Sequence, residues 1–146
     1  MKDLQLIGGD LVTGSRGYLT VSGAPYLRQR IALAFGEPYG DDPYHPQWGS
    51  TLPSMIGSPI EGGTTALVTS EAARVLQQLM DAQQQQITGS VLNGTRSQLS
   101  AADVIASVNS VNAVASGDPD TIVLLISLTT QAGTQIQVAR TVTASA

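Results

Sequence analysis

The side chains that could do chemistry gather in FGEPYGDDPYHPQWGS, residues 35–50, which contains the only histidine and the only tryptophan of the chain. Glu37 with Asp41 or Asp42 could act as general acid and base, because glycosidic bonds are cleaved by two carboxyl groups held close together. The alternative is structural: Glu37 accepts backbone hydrogen bonds after a helix, the aspartates initiate turns, and His45 stays in solvent. Spacing along a loop does not fix the distance between carboxyl groups, so the sequence favours the structural interpretation.

Metal, cofactor and sugar sites have less support in the same stretch. A metal ion needs three or four convergent hard ligands. One histidine beside the adjacent Asp41 and Asp42 gives little support for such a site, so we expect no metal. Trp48 with Tyr39 and Tyr44 could stack on a sugar, but aromatic residues among prolines more often pack a loop onto its own domain. No phosphate-binding loop and no serine-triad signature is present, so we expect no cofactor and no catalytic residue.

The composition bears on what the chain can bind. Charged residues make up only 12% of 146, so neutral polar groups must cover the surface, and these are cheaper to desolvate than charges. A net charge of −4 with seven scattered Lys and Arg argues against nucleic acid. There is no cysteine, no signal peptide and no run of about 20 apolar residues, so we expect a soluble protein without a membrane partner. This composition favours assembly with other proteins.

The elements before and within this stretch are short. Residues 4–22 are predicted to form extended pieces broken by glycines, with no repeat unit. Residues 24–35 place apolar side chains at helical spacing, with Pro25 in the first turn and Gly36 as the stop. A helical turn is expected at 52–56.

A long amphipathic helix is predicted at residues 64–88, with Gly89 as its C-terminal stop. The glutamine run 83–86 lacks apolar residues, so we expect it to protrude from the core or to meet a partner. Ser100 and Asp103 have capping-box spacing, which predicts the start of a short helix.

The C-terminal part is predicted to be a three-stranded antiparallel meander, with strands at 108–116, 121–130 and 134–143 separated by GDPD and QAG. The whole pattern indicates a single α+β domain, residues 1–146. In the last strand apolar and polar residues alternate, with Arg140 on the apolar side. Because a terminal strand with an open edge can pair with another chain, we expect residues 134–146 to offer such an edge.

The first helix and the stretch after it, YLRQRIALAFGEPYGDDPYHPQWGSTLPSMIG, resemble the baseplate wedge or sheath-initiator family of contractile-tailed phages. That family is also called lysozyme-like and has relatives in secretion systems. Its members typically show Gln-Arg-Ile in a helix, a Gly-Glu turn, an acidic stretch with proline, and an aromatic residue followed by Gly-Ser-x-Leu. The matching residues here are Gln29, Arg30, Ile31, Gly36, Glu37, Asp42, Pro43, Trp48, Gly49, Ser50 and Leu52.

The resemblance implies structural work in a virion, assembled in the host cytoplasm, and no enzymatic activity. The implied partners are other baseplate wedge proteins, the tail tube or hub, and the tail sheath subunit. The sheath subunit would add a strand to the last strand of this chain, so that sheath polymerisation starts in register. The partner-binding residues are then Thr134, Gln135, Ile136, Gln137, Val138, Ala139, Arg140, Thr141 and Val142.

One departure from the family pattern concerns Glu-Pro-Arg, which many members carry just before the C-terminal strands. Here that region reads SQLSAADVIASV, and Glu37-Pro38 lies far upstream with Tyr39 in place of arginine. The resemblance therefore does not extend to the wedge contact that this motif makes. The alternative function is a peptidoglycan glycosidase that uses Glu37 with Asp41 or Asp42.

Overall fold

The computed structural model describes residues 2–7, 10–15, 17–55, 63–118 and 120–143. Within those ranges, six two-residue strands come first, then three helices, then three long strands. The strands and helices in chain order are β1 Asp3–Leu4, β2 Leu6–Ile7, β3 Asp10–Leu11, β4 Thr13–Gly14, β5 Gly17–Tyr18, β6 Thr20–Val21, α1 Ala24–Gly36, α2 Leu52–Met55, α3 Thr64–Leu92, β7 Ile105–Ala115, β8 Thr121–Thr130 and β9 Gln135–Thr143. The α+β prediction is confirmed.

The N-terminal strands form a three-armed unit, in which β1 pairs with β6, β2 with β3 and β4 with β5, all antiparallel. At its centre the amide of Gln5 donates to the carbonyl of Leu19 (2.8 Å), that of Val12 to Gln5 (3.0 Å) and that of Leu19 to Val12 (2.9 Å). These residues are seven apart and hold the same place in DLQLIGG, DLVTGSR and GYLTVSG. The expectation of no repeat is therefore wrong. What repeats is mainly backbone pairing, because the three units share residue types at only some positions.

Helix α1 begins and ends within one residue of its predicted bounds, with proline in its first turn. The side-chain amide of Gln29 connects α1 to the three-armed unit. Its Nε2 donates to the carbonyl of Leu4 (2.8 Å), and its Oε1 accepts from the amide of Leu6 (2.9 Å). A side-chain amide thus pairs with two strands as a neighbouring strand would, which fixes the unit against α1.

Helix α3 continues past Gly89, so the predicted stop is wrong. The helix ends one turn later, where Asn93 donates to the carbonyl of Gly89 (3.0 Å) and Gly94 donates to that of Val91 (3.1 Å). Gly94 has a φ of 65°, the left-handed conformation that terminates helices and that glycine adopts freely. The helical turn at α2 is confirmed as far as Met55, and Ile56 lies outside the described residues.

The predicted helix after Ser100 does not form. The carboxylate of Asp103 does reach back to the amide (2.9 Å) and hydroxyl (2.8 Å) of Ser100, but its other oxygen accepts from the amide of Gly23 (2.8 Å). In the glutamine run 83–86, which was expected to protrude or to meet a partner, Gln83 is buried and the other three are exposed. Gln83 Nε2 donates to the carbonyl of Asp103 (2.8 Å), and its Oε1 accepts from the amide of Ile105 (3.1 Å). These two hydrogen bonds attach the backbone of Asp103 and Ile105 to α3, and β7 begins at Ile105.

The C-terminal sheet is antiparallel with the order β7-β8-β9, which confirms the meander. Alternate β8 residues are buried, namely Ile122, Leu124, Ile126 and Leu128, while Leu125 on the other face is 44% exposed. The buried face packs on the helices and the other face meets solvent.

The core lies between α1, α3 and the buried face of the sheet. Within the described residues, no helix is long and apolar enough to span a bilayer. The clustered core side chains are Leu27, Ile31, Phe35, Leu52, Val68, Ala72, Val75, Leu76, Leu79, Ile105, Ile122, Leu124, Ile126, Leu128 and Ile136.

Candidate functional site

Residues 37–51, here called the strap, fold back on themselves between α1 and α2. Pro38 and Ser50 form a parallel bridge, in which the amide of Ser50 donates to the carbonyl of Glu37 (2.7 Å) and that of Tyr39 donates to Ser50 (3.0 Å). Gly49 has a φ of 95°, and a Cβ there would lie 2.4 Å from the carbonyl oxygen of Pro38. The Gly-Ser of the family-like motif thus closes the strap, and only glycine fits at its tightest point.

A charged pair on α3 clamps the strap. Arg74 donates to both carboxylate oxygens of Glu71 (2.7 and 2.9 Å) and to the carbonyl of Gly49 (2.7 Å), and Glu71 accepts from the amide of Thr51 (2.7 Å). The guanidinium also lies 5.1 Å from the ring centroid of Tyr39. The hydrogen bonds from Arg74 hold the pKa of Glu71 below its usual range despite partial burial. The strap is therefore anchored on α3.

The clamp residues were missed by the sequence analysis. Their signal was an i, i+3 acid and base pair on a predicted helix, a spacing at which side chains meet. Nothing in that spacing identifies the strap as the third partner, because Gly49 and Thr51 contribute only backbone groups.

The acids of the strap differ in exposure and in their hydrogen-bond partners. Glu37 and Asp41 are exposed, whereas Asp42 accepts from Nδ1 of His45 (2.8 Å). This hydrogen bond, with one from the amide of Tyr44, keeps the pKa of Asp42 below its usual range. Within the described residues, no group of three His, Asp or Glu side chains could hold a metal ion.

The aromatic residues of the strap do not present one open platform. Trp48 stacks on His45 with ring centroids 4.5 Å apart, so the imidazole covers one face of the indole, and Tyr44 is 88% exposed. A cleft of about 160 Å³ between α1, the strap and α3 brings together Arg30, Glu37, Asp42 and Trp48.

The other residues of the family-like motif differ in burial. Ile31 and Leu52 are in the core, Pro43 is exposed, and Gly36 ends α1 beside Arg140.

β9 is an edge strand, and its outer side has no neighbouring strand among the described residues. The amide of Thr130 donates to the carbonyl of Thr134 (3.0 Å), and the β8–β9 register then runs without a shift. Since antiparallel rungs alternate, every second residue of β9 directs its N–H and C=O away from β8. Those residues are Gln135, Gln137, Ala139 and Thr141, whose side chains are also exposed.

Arg140 lies on the helix-facing side of β9, as the alternation predicts. Its Nη1 donates to the carbonyl of Ala32 in the last turn of α1 (2.9 Å), where a positive charge also interacts favourably with the helix dipole. The positive charge of Arg140 therefore lies against α1 and not on the open edge of β9.

The opposite edge strand, β7, is less suited to pairing. Its register with β8 shifts between Ile105 and Ser107 and again between Val108 and Ser110. Such bulges twist an edge away from an incoming strand. Of the two edges of this sheet in the described part of the chain, that of β9 is the regular one, and its outward-directed residues Gln135, Gln137, Ala139 and Thr141 are uncharged. Pairing of Thr134 to Val142 with a partner stays a prediction.

Comparisons with known proteins agree with this fold and give no family by sequence. No protein family and no curated protein matches the sequence. A crystal structure of a Geobacter sulfurreducens protein, provisionally assigned as a tail lysozyme, is similar with a TM-score of 0.57 and 14% identity, over 88% of this chain and 97% of that one. At this identity the likeness shows that the two chains share a fold.

Proposed function

We propose that this chain is a structural, non-enzymatic component of a contractile tail baseplate, whose β9 pairs with a strand of the first sheath subunit and starts sheath polymerisation. The observation that supports this most is the regular outer edge of β9, which lacks the lysine, proline or bulge that usually protects an edge. Main-chain hydrogen bonds would supply the affinity. The shared fold with a protein assigned to a tail supports the tail association.

The other proposed partners follow from the same role. Other baseplate wedge proteins and the tube or hub would contact the remaining surface, which carries few charges and is therefore cheap to desolvate. The site of action is the virion, after assembly in the host cytoplasm.

Replacing Ala139 by proline tests the edge without removing β9. The N–H of Ala139 points away from β8, so the fold loses no hydrogen bond, whereas a partner strand loses a donor and meets the proline ring. We expect particles with the Ala139→Pro chain to form baseplates but no sheath, as seen by electron microscopy.

Two controls make this test specific. Ala139→Thr keeps the amide and should assemble sheath normally, while Val138→Pro removes an N–H directed at β8 and should unfold the sheet, as seen by circular dichroism. Sheath of normal length on well-folded Ala139→Pro particles would contradict the proposal. Deleting residues 134–146 is less informative, because it removes the buried Ile136 from the core.

A peptidoglycan glycosidase is the second candidate, because Glu37 and Asp42 line the same cleft. Its weakness is that Glu37 is exposed, whereas a general acid is normally held in an apolar pocket. Purified protein should leave a cell-wall suspension turbid. Clearing that Glu37→Gln abolishes, with Asp120→Asn, a change at an exposed acid outside the cleft, as the control, would favour the enzyme.

A further inference from the structure

A continuous groove runs between α1 and α3, beside the strap. Two cavities, of about 160 and 400 Å³, share Arg30, Trp48, Leu79 and Ala82 as lining residues. Along α3 the lining extends from Val75 to Gln86, which corresponds to roughly 17 Å at the helical rise. An extended peptide of about five residues covers that length. We call this cleft the helix groove.

The two ends of the helix groove differ in charge. Glu37 and Asp42 line the smaller cavity, near the closed part of the strap. Among the described residues, no acid lines the larger cavity, whose polar groups include the Gln85 and Gln86 amides, the imidazole of His45 and the phenol of Tyr26. The floor common to both is apolar, formed by Leu79, Ala82 and the indole.

Arg30 stands where the two cavities meet. It is half-buried, and its guanidinium makes no hydrogen bond or ion pair with any residue in the described part of the chain. By contrast, Arg74 and Arg140 both donate hydrogen bonds, Arg74 within the clamp and Arg140 to α1. A partly desolvated guanidinium binds a carboxylate strongly, because two parallel N–H groups match its two oxygens.

We propose that the helix groove binds an extended segment of a partner protein, with an aspartate or glutamate side chain on Arg30 and aliphatic side chains on Leu79 and Ala82. Charge decides the direction: the carboxylate lies toward the larger cavity, away from Glu37 and Asp42. The length favours a peptide over a small carboxylate, which would fill only part of the groove. This surface shares no residue with β9 and is independent of the edge pairing.

A paired peptide array tests the groove. One array carries seven-residue peptides with a central glutamate among varied aliphatic residues, and the other carries the same peptides with glutamine. The purified full chain should bind peptides of the glutamate array and bind their glutamine counterparts at least about tenfold more weakly, as expected for a charged hydrogen-bonded pair. Because Trp48 is the only tryptophan, its emission should change saturably with the strongest peptide.

Matched variants assign the effect to the groove. Arg30→Gln should lose roughly tenfold or more in affinity for the glutamate peptide, whereas Arg28→Gln, which removes an exposed charge from the same helix, should bind like the wild type. Ala139→Pro should also bind normally, which separates this surface from the edge of β9. Equal binding to the two arrays, no binding to the glutamate array, or full binding by Arg30→Gln would each overturn the proposal.

Discussion

At the scale of single residues, Asp103 connects more of the chain than any chemical candidate in the strap. Its side chain is fully buried and accepts hydrogen bonds from Gly23, where the three-armed unit meets α1, and from Ser100 before the sheet. Burial alone raises the pKa of this carboxyl, but the hydrogen bonds outweigh it and bring the pKa to about 2. The role of Asp103 is therefore structural: its carboxylate joins distant segments of the chain.

The low pKa of Asp103 predicts a pH-dependent stability. Because the folded pKa of about 2 lies below the ordinary 3.8, the stabilisation is present above pH 3.8 and is lost as the pH falls toward 2. We expect Asp103→Asn to lower the free energy of unfolding by about 2 kcal/mol at pH 7. In urea titrations this deficit should shrink between pH 4 and pH 2.

The exposed Asp41 provides the control. Asp41→Asn should unfold like the wild type at each pH. A deficit for Asp103→Asn that is the same at pH 7 and at low pH would show that the ionised carboxylate is not what stabilises the fold.

At the scale of elements, the strap depends on Gly49, whose positive φ and close approach to Pro38 only glycine permits. Gly49→Ala would force a side chain into a conformation with positive φ and against the carbonyl of Pro38. We expect a loss of roughly 2 kcal/mol or more in thermal or urea unfolding. Gly49→Ala should also weaken the clamp by Arg74, since Gly49 supplies the carbonyl that Arg74 binds.

Gly89 gives a control of opposite sign. It lies inside α3 with open space where a Cβ would be, so Gly89→Ala should stabilise the helix by up to about 1 kcal/mol. Equal effects of the two substitutions would mean that the close approach at Gly49 is not what requires glycine.

At the scale of the whole molecule, Arg140 joins the last strand to the first helix across 108 residues of sequence. Arg140→Gln removes the charge and shortens the reach, so the C-terminal half of β9 should separate more often from α1. We expect faster amide hydrogen exchange at Val138 and Val142, with exchange in β7 unchanged. An unchanged rate at Val138 would mean that core packing alone holds β9 in place.

The helices and the meander were predictable because their signals are local. Apolar spacing in α1 and α3, and alternation between turn residues in β7 to β9, depend only on neighbours in sequence. The alternation also placed Arg140 on the inner side. The family-like motif was visible for the same reason, as one contiguous segment.

The rest depended on contacts between distant parts of the chain. The run 83–86 was expected to protrude or to meet a partner because it lacks apolar residues, yet Gln83 is buried, since the start of β7 supplies backbone partners for its amide. The contact between Ser100 and Asp103 forms as predicted, but the distant Gln83 binds the backbone of Asp103 and Ile105, and the chain continues as β7 instead of a helix.

The sequence by itself determined the helical and strand segments and the α+β class, because periodicity and turn residues act over a few neighbours. Only the tertiary structure decided that the strap is clamped to α3, that Asp103 joins the ends of three segments, and that Arg30 faces an open groove. These features arise from backbone groups and from buried or half-buried charges, and residue types alone do not show where such groups meet.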